Sequence, residues 1–338
     1  MINERINSLD VSKIKRLENR KVIFLDLNIW IDLVESQEEI IQETKQLLLE
    51  SVKQGKVFCP LSFPIILELQ KQNYDSAIRI GKLMEELSLN ICYKNRDELI
   101  KYEILLFILC LCHKKKPPLF NPIYYIYTSF PFFCSSSASI EFSEKTNINI
   151  RKEITHLVND SLLKITVTDY INSMKSHFPN NSIKKHNYQE ICKEKKLFTR
   201  GSKLKNRKIE EIFISKEYIL PVLQSLPLKT QECLIEHFKE LPKDSFGSIS
   251  KAFIEELPIL NSFVEIMHIT SLDDNRKDNA NDFFDIEIMI LALTYADIFI
   301  SKDKWITHMF ANEIKLKSFS KGKYISDYGM LKDYLLRL

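Results

Sequence analysis

Four acidic residues stand next to apolar segments in distant parts of the chain: Asp26, Glu68, Asp285 and Asp303. Several carboxylates that come close together repel one another, and without a cation some of them would have to take up protons. Mg²⁺ and Mn²⁺ prefer carboxylate and water ligands. If the four side chains converge, the sequence therefore predicts a divalent-cation site able to activate water and stabilise phosphoryl charge.

The elements that would bring these acids together are short apolar strands alternating with helices. Asp26 closes the first predicted strand, and Asp303 follows the fourth with one residue between. Glu68 lies on a helix after the second strand, and Asp285 opens the helix before the fourth. Ligands of parallel α/β sheets bind beyond the carboxyl ends of the strands, so we expect one shared edge. The predicted strands span 21–26, 57–61, 89–93, 298–301 and 323–325.

The middle of the chain has a different pattern from its two ends. It is mostly helical, with stretches at 150–177 and 208–226, whereas the α/β alternation occurs on both sides of it. We therefore predict an α/β fold whose first half spans 19–95 and whose second half spans 261–338. A large, mostly helical insertion, 96–260, would lie between them.

Three segments of the α/β halves carry a family resemblance. The segment 22–33, VIFLDLNIWIDL, resembles the opening motif of PIN-domain nucleases, in which an apolar strand delivers an aspartate. The segment 60–69, PLSFPIILEL, resembles the helix-borne glutamate motif of that family. The segment 281–304 is similar to its third and fourth motifs, an aspartate that opens an apolar helix, then a strand and Ser-x-Asp.

The resemblance implies a PIN-like parallel-sheet sandwich flanked by helices. It also implies that Asp26, Glu68, Asp285 and Asp303 are catalytic and bind Mg²⁺ or Mn²⁺, and that the chain cleaves nucleic acid, most often RNA. Asp282 lies three residues before Asp285, on the same helical face, and is a candidate fifth metal ligand. The insertion departs from compact family members, which leaves substrate and regulation open.

Each of these acids also has a purely structural interpretation. Asp26 and Asp303 could cap the helices that follow them. Asp285 could be a charge at a helix N-terminus, favoured by the dipole, and Glu68 an exposed helix acid. We expect Asp32 and Glu287 to be surface residues of their helices.

Candidate substrate contacts come from two regions. Asn28 could orient Asp26, and Lys302 and Lys304 could contact a phosphate or simply be solvated. The stretch 184–208 holds ten Lys and Arg against two Glu and can neutralise a phosphate backbone, unless it is a solvated loop. Its candidate contacts are Lys195, Lys196, Arg200 and Lys203.

Composition limits the other classes of function. The chain has 338 residues, is 45% hydrophobic and carries a net charge of only +3, so a nucleic-acid partner would have to bind a local patch. Six glycines argue against a glycine-rich phosphate loop, and seven cysteines without zinc-ligand spacing indicate reduced thiols. The N-terminus lacks an apolar targeting region, which predicts a cytoplasmic protein without a membrane partner.

Two alternatives remain open at this point. The chain could be a catalytically inactive PIN-like scaffold that binds RNA or protein. It could also be a phosphatase of the haloacid-dehalogenase type, although Asn28 stands where that class carries its second acid. The insertion could bind a protein partner or an inhibitor, as in a toxin or defence system.

Overall fold

A computed structural model gives the architecture of both ends of the chain and of parts of its middle. It describes residues 2–5, 15–69, 71–113, 126–127, 139–142, 147–154, 165–177, 215–237, 253–272, 282–312 and 323–338. In chain order the strands are β1 (Ile2–Arg5), β2 (Lys21–Leu25), β3 (Val57–Phe58), β4 (Cys92–Tyr93), β5 (Ile126–Tyr127), β6 (Ser139–Phe142), β7 (Ile298–Ile300) and β8 (Lys323–Ile325).

The helices account for most of the described chain. They are α1 (Leu27–Glu35), α2 (Glu39–Lys53), α3 (Phe63–Leu69), α4 (Tyr74–Ser88), α5 (Arg96–Cys112), α6 (Val167–His177), α7 (Leu220–Ser225), α8 (Leu228–His237), α9 (Pro258–Leu272), α10 (Asp282–Tyr295), α11 (Lys304–Asn312) and α12 (Tyr328–Leu336). A π-helical turn, Ser215–Ile219, leads directly into α7.

A small parallel sheet joins the two ends of the chain. Its strand order is β3-β2-β7-β8, and each neighbouring pair is parallel. The expectation that both α/β halves share one sheet is confirmed. Beyond β3, a parallel bridge between Leu61 and Cys92 shows that β4 runs in the same direction as these strands. The segments that follow β2, β3, β4 and β7 therefore all begin at the carboxyl edge of the sheet.

The central strand β2 is buried on both faces of the sheet. Val22, Ile23, Phe24 and Leu25 are all inaccessible to solvent, as their continuous apolar run predicts. The chain then turns directly into α1 at Asp26. The sheet is therefore covered by helices, and its carboxyl edge is where polar residues can first appear.

The helices of the middle region do not form a separate core within the described residues. Helix α9 packs against α10 and α5, and α8 also packs against α5. Buried side chains of α7, α8 and α9 belong to the same apolar cluster as those of the sheet. The predicted boundaries of the insertion stay a prediction, because much of 96–260 lies outside the described residues.

A buried polar cluster connects this middle region to α10. Arg96 donates to Asp97 at 2.9 Å and to Tyr218 at 3.5 Å, and its guanidinium lies 4.7 Å from the ring centre of Phe263. Glu287, on α10, is an electrostatic partner of Arg96 and is itself buried. The expected surface position of Glu287 is therefore wrong, because α10 is enclosed by apolar neighbours on nearly every side.

None of the helices within the described ranges combines the length and the apolar composition needed to cross a membrane.

The core position of β2 predicts the cost of removing its side chains. Phe24 packs between Tyr93 and Phe299, at centroid distances of 5.4 and 6.0 Å. We expect Phe24→Ala to lower the free energy of unfolding by about 3–5 kcal/mol, and the milder Ile23→Val by about 0.5–1.5 kcal/mol. Urea denaturation followed by circular dichroism measures both.

The control for these variants is Leu228→Ala, since Leu228 is 75% exposed. Its effect should stay within about 0.5 kcal/mol. Equal effects of Phe24→Ala and Leu228→Ala would contradict the central position of β2.

Candidate active site

Asp26 is held at the end of β2 by three hydrogen bonds. Its Oδ1 accepts from the backbone N–H of Leu27 at 2.7 Å, which caps α1. Its Oδ2 accepts from the Nδ2 of Asn28 at 3.1 Å and from the hydroxyl of Ser301 at 2.5 Å. The carboxylate is 5% exposed. Asp26 is thus a helix cap, as its structural interpretation predicted. Its orientation is also fixed by Asn28, from the N-terminal α/β half, and by Ser301, from the C-terminal half.

Ser301 connects the two acids that follow neighbouring strands. It comes directly after β7 and is fully buried. While its hydroxyl donates to Asp26, the same oxygen accepts the backbone N–H of Asp303 at 3.0 Å. One side chain therefore sets the position of the turn 301–303 relative to the end of β2.

Asp303 uses one carboxylate oxygen for structure and leaves the other available. Its Oδ1 accepts from the backbone N–H groups of Trp305 at 2.8 Å and Ile306 at 3.0 Å, which caps α11. Its Oδ2 accepts no hydrogen bond from the described residues. The predicted capping role and a ligand role are therefore compatible in the same side chain.

Glu68 approaches from α3, which follows β3. It forms an ion pair with Lys71, with 3.3 Å between Oε1 and Nζ, and its side chain is 15% exposed. Its Oε2 accepts no hydrogen bond within the described part of the chain. The charges of Glu68 and Asp303 both act on Asp26, so the structure brings these two predicted acids within electrostatic reach of Asp26.

Burial is the main influence on the ionisation of Asp26. Burial raises the pKa of this carboxyl most strongly, the hydrogen bonds from Ser301 and Leu27 lower it, and the charges of Glu68 and Asp303 raise it further. The net result is a pKa of about 6. An ionised Asp26 is therefore costly at neutral pH. Such a perturbed carboxyl among further acids is a candidate functional group, because a cation placed beside it would remove the cost.

Asp285 is directed toward the same edge by the path of its helix. Helix α10 packs against α3 and contacts β7, which it reaches through only two residues, 296 and 297. A helix connected in this way runs antiparallel to the strand, so its first turn points to the edge where β7 ends. Asp285 is half-buried in that turn. Asp282 is the first residue of α10, and its side chain lies outside the described atoms.

The predicted phosphate contacts differ in their surroundings. The Nζ of Lys302 lies 2.7 Å from Asp32 and 4.7 Å from the ring centre of Tyr328, whose hydroxyl donates to the same carboxylate at 3.0 Å. Asp32 is thus partly exposed and ion-paired. The other predicted contacts are less engaged or not described. The side-chain oxygen of Asn28 accepts from the backbone N–H of Lys302 at 3.5 Å. Lys304 is exposed. Lys195, Lys196, Arg200 and Lys203 lie outside the described residues.

Tyr324 is a neighbour of the acids that the sequence pattern did not indicate. Its hydroxyl donates to the carbonyl of Ser301 at 2.9 Å and lies 2.7 Å from the hydroxyl of Thr307. Burial raises the pKa of Tyr324, and the charges of Asp26 and Asp303 raise it further. No local signal could have identified it, since it stands in a strand predicted only from its apolar character.

The donor set suits a hard cation in its chemistry. One carboxylate oxygen each of Asp303 and Glu68 accepts no hydrogen bond from the described residues, and burial disfavours the ionised form of Asp26. Among the residues that the structure describes, however, no group of three or more His, Cys, Asp or Glu side chains is arranged to hold a metal ion. In the described part of the chain, Glu68 and Asp303 are electrostatic neighbours of Asp26.

Comparison of the chain with family models, with curated proteins and with solved structures gives no match.

The raised pKa of Asp26 predicts how stability depends on pH without metal. Its folded-state pKa of about 6 exceeds its ordinary value of 3.8, so between these values the folded protein holds a proton that the unfolded chain releases. Stability should therefore fall as pH rises through this range, by on the order of 3 kcal/mol. Asp26→Asn should lack this part of the pH dependence.

Urea unfolding of both proteins in EDTA at pH 4 and pH 8 measures the effect. Asp75→Asn, a change at an exposed acid, serves as the control and should follow the wild type. A wild-type pH dependence equal to that of Asp26→Asn would contradict the raised pKa.

Proposed function

We propose that this chain is a divalent-metal-dependent nuclease that hydrolyses phosphodiester bonds, with RNA as its substrate and Mg²⁺ or Mn²⁺ as its cofactor. The observation that carries the proposal is the buried Asp26, held by Ser301 and Asn28 within reach of the charges of Glu68 and Asp303. The position of these groups at the carboxyl edge of a parallel sheet, where ligands bind, supports it. The resemblance of the three segments to PIN-domain motifs supports it independently.

In this proposal the acids divide the work of binding the cation. Asp26 and Asp303 hold it from the ends of β2 and β7, Glu68 from α3, and Asp285 from α10, with Asp282 as a candidate fifth ligand. When bound, the cation supplies an activated water and stabilises charge on the transferring phosphoryl group. The hydrogen bonds to Asp26 and the two backbone N–H groups on Asp303 keep these carboxylates in fixed orientations, which lowers the entropy lost on binding.

The surroundings of the acids suggest how a phosphate backbone could approach. Lys304 is exposed at the start of α11, beside Asp303. Lys302 would have to exchange its ion pair with Asp32 for a phosphate, which is feasible because this pair is partly solvent-exposed and such pairs contribute little to stability. The basic stretch 184–208 is the proposed track for the rest of the substrate.

Two contacts favour this proposal over a phosphatase of the haloacid-dehalogenase type. Asn28 occupies the position of the general acid in that class, and here its amide donates to Asp26. Both oxygens of Asp26 accept hydrogen bonds, which lowers the nucleophilicity that an aspartyl-phosphate mechanism needs. Failure to trap a phosphoryl group on Asp26 is therefore the expected result of incubation with phosphoryl donors.

Loss of cleavage on substitution of the acids is the direct test of the proposal. We expect the wild type with Mn²⁺ to cut labelled single-stranded RNA. Asp26→Asn and Asp303→Asn should each reduce the rate by at least about a hundredfold, because each removes a charged ligand of the catalytic cation. Gel-resolved single-turnover cleavage measures these rates, with Asp75→Asn as the matched control.

Two results would contradict the nuclease assignment. One is a wild type that cleaves neither RNA nor single-stranded DNA with either metal. The other is an Asp26→Asn variant whose cleavage rate equals that of Asp75→Asn.

Metal-dependent stabilisation separates the enzyme from a scaffold that resembles it. At pH 8, Mn²⁺ at a hundredfold excess over its Kd should stabilise the folded wild type by about 2.7 kcal/mol. The same addition should leave Asp26→Asn unchanged, since the buried charge that the cation compensates is absent. Thermal melting with and without Mn²⁺ measures the difference. An equal shift in both proteins would favour the inactive scaffold.

A further inference from the structure

Tyr324 reaches from β8 across the sheet edge to the turn that carries Asp303. Strand β8 is the outer neighbour of β7 and pairs with it in parallel, with Phe299 opposite Tyr324. The phenol of Tyr324 extends past the end of β7 and donates to the carbonyl of Ser301 at 2.9 Å. It thereby binds the backbone of the residue whose side chain binds Asp26.

A second contact of the Tyr324 hydroxyl is with Thr307, which follows the turn 301–303 in the chain. The phenol gives its only proton to the carbonyl of Ser301, so it can bond to the hydroxyl of Thr307, on α11, at 2.7 Å only as an acceptor. The Thr307 hydroxyl also lies 2.7 Å from the carbonyl of Asp303, and its single proton serves one of these two acceptors at a time. The phenol of Tyr324 therefore contacts the first residue of the turn 301–303 directly and, through Thr307, the helix that follows the turn.

The ring of Tyr324 is itself fixed by aromatic packing. It stacks on Phe310, with ring centres 4.5 Å apart and planes inclined by 17°, and meets Phe299 edge-on at 5.8 Å. Phe310 and Phe299 are buried core residues. The position of the hydroxyl is thus set by the core and not by the turn that it contacts.

The turn in question determines the geometry between two of the proposed ligands. Ser301 donates to Asp26 and accepts from the backbone of Asp303, so a displacement of the turn moves one acid relative to the other. A shift of about 1 Å between groups that act together can cost a hundredfold in rate.

From these contacts we infer that Tyr324 is a positioning residue of the proposed nuclease site. Its hydroxyl holds the turn 301–303 so that the carboxylates of Asp26 and Asp303 keep a fixed relation. The expected effect on cleavage rests on the proposed function, whereas the expected effect on the position of the turn does not. Tyr324 does not act on the substrate itself, since its proton is engaged by the carbonyl of Ser301.

The test variant is Tyr324→Phe, which removes the hydroxyl and keeps the aromatic packing. The matched control is Tyr334→Phe, a half-buried tyrosine of α12 that lies near Asp297, at the start of β7 and so at the opposite edge of the sheet. Two readouts are compared: steady-state cleavage of RNA with Mn²⁺, and hydrogen–deuterium exchange of peptides covering 299–310 and 21–30 in the metal-free protein.

We expect Tyr324→Phe to lower kcat by about tenfold to a hundredfold, with KM changed less than about twofold, since the loss affects the alignment of ligands and not substrate contacts. Exchange should accelerate in 299–310 and stay unchanged in 21–30. The melting temperature should remain close to that of Tyr334→Phe. A merely structural role would instead lower the melting temperature and accelerate exchange in both peptides.

Each remaining outcome has a definite meaning. Unchanged exchange in 299–310 would overturn the inference, and so would accelerated exchange with unchanged kcat. If the wild type cleaves nothing, the proposed function fails by itself. The exchange experiment would then still decide whether Tyr324 holds the turn.

Discussion

The parallel pairing of β2 with β7 is the contact on which the other features of this protein depend. The two strands come from opposite ends of the chain, and their hydrogen bonding continues past both strand ends. At one edge the backbone N–H of Asp297 donates to the carbonyl of Val22, and at the other the backbone N–H of Asp26 donates to the carbonyl of Ile300. Parallel neighbours need a long crossover between them, and here the entire middle of the chain serves as that crossover. The hydrogen bond from Ser301 to Asp26 joins residues that directly follow these two paired strands.

This arrangement places a carboxylate where burial disfavours its ionised form. Three hydrogen bonds stabilise the charge of Asp26, but burial and two neighbouring acids act in the opposite direction. A site maintained for stability alone would be better served by a neutral residue, because buried charges without a partner are expensive. Sites that bind charged ligands commonly carry such a cost. The proposed cation would supply the compensation that the surrounding side chains do not.

Much of the framework was predictable from the sequence, because burial on both faces of a strand leaves a continuous apolar run. The runs 21–26 and 298–301 were both predicted as strands, and they correspond to the central strands β2 and β7. The pairing of Asp26 with Asn28 also follows from their separation of two residues. Contacts that depend on the three-dimensional path were not predictable. Glu287 was assigned to the surface because helical periodicity cannot reveal that α10 is enclosed, and Tyr324 meets Ser301 only through the pairing of β8 with β7.

The central claim is that a divalent cation binds between these acids. Crystals soaked in Mn²⁺ and measured above the manganese absorption edge test it most directly, since the anomalous signal locates the ion without reference to any activity. The account predicts a peak within about 2.5 Å of a carboxylate oxygen of Asp26 or Asp303, with Glu68 and Asp285 in its direct or water-mediated coordination. A peak located elsewhere, or none at a concentration that saturates a millimolar site, would contradict it.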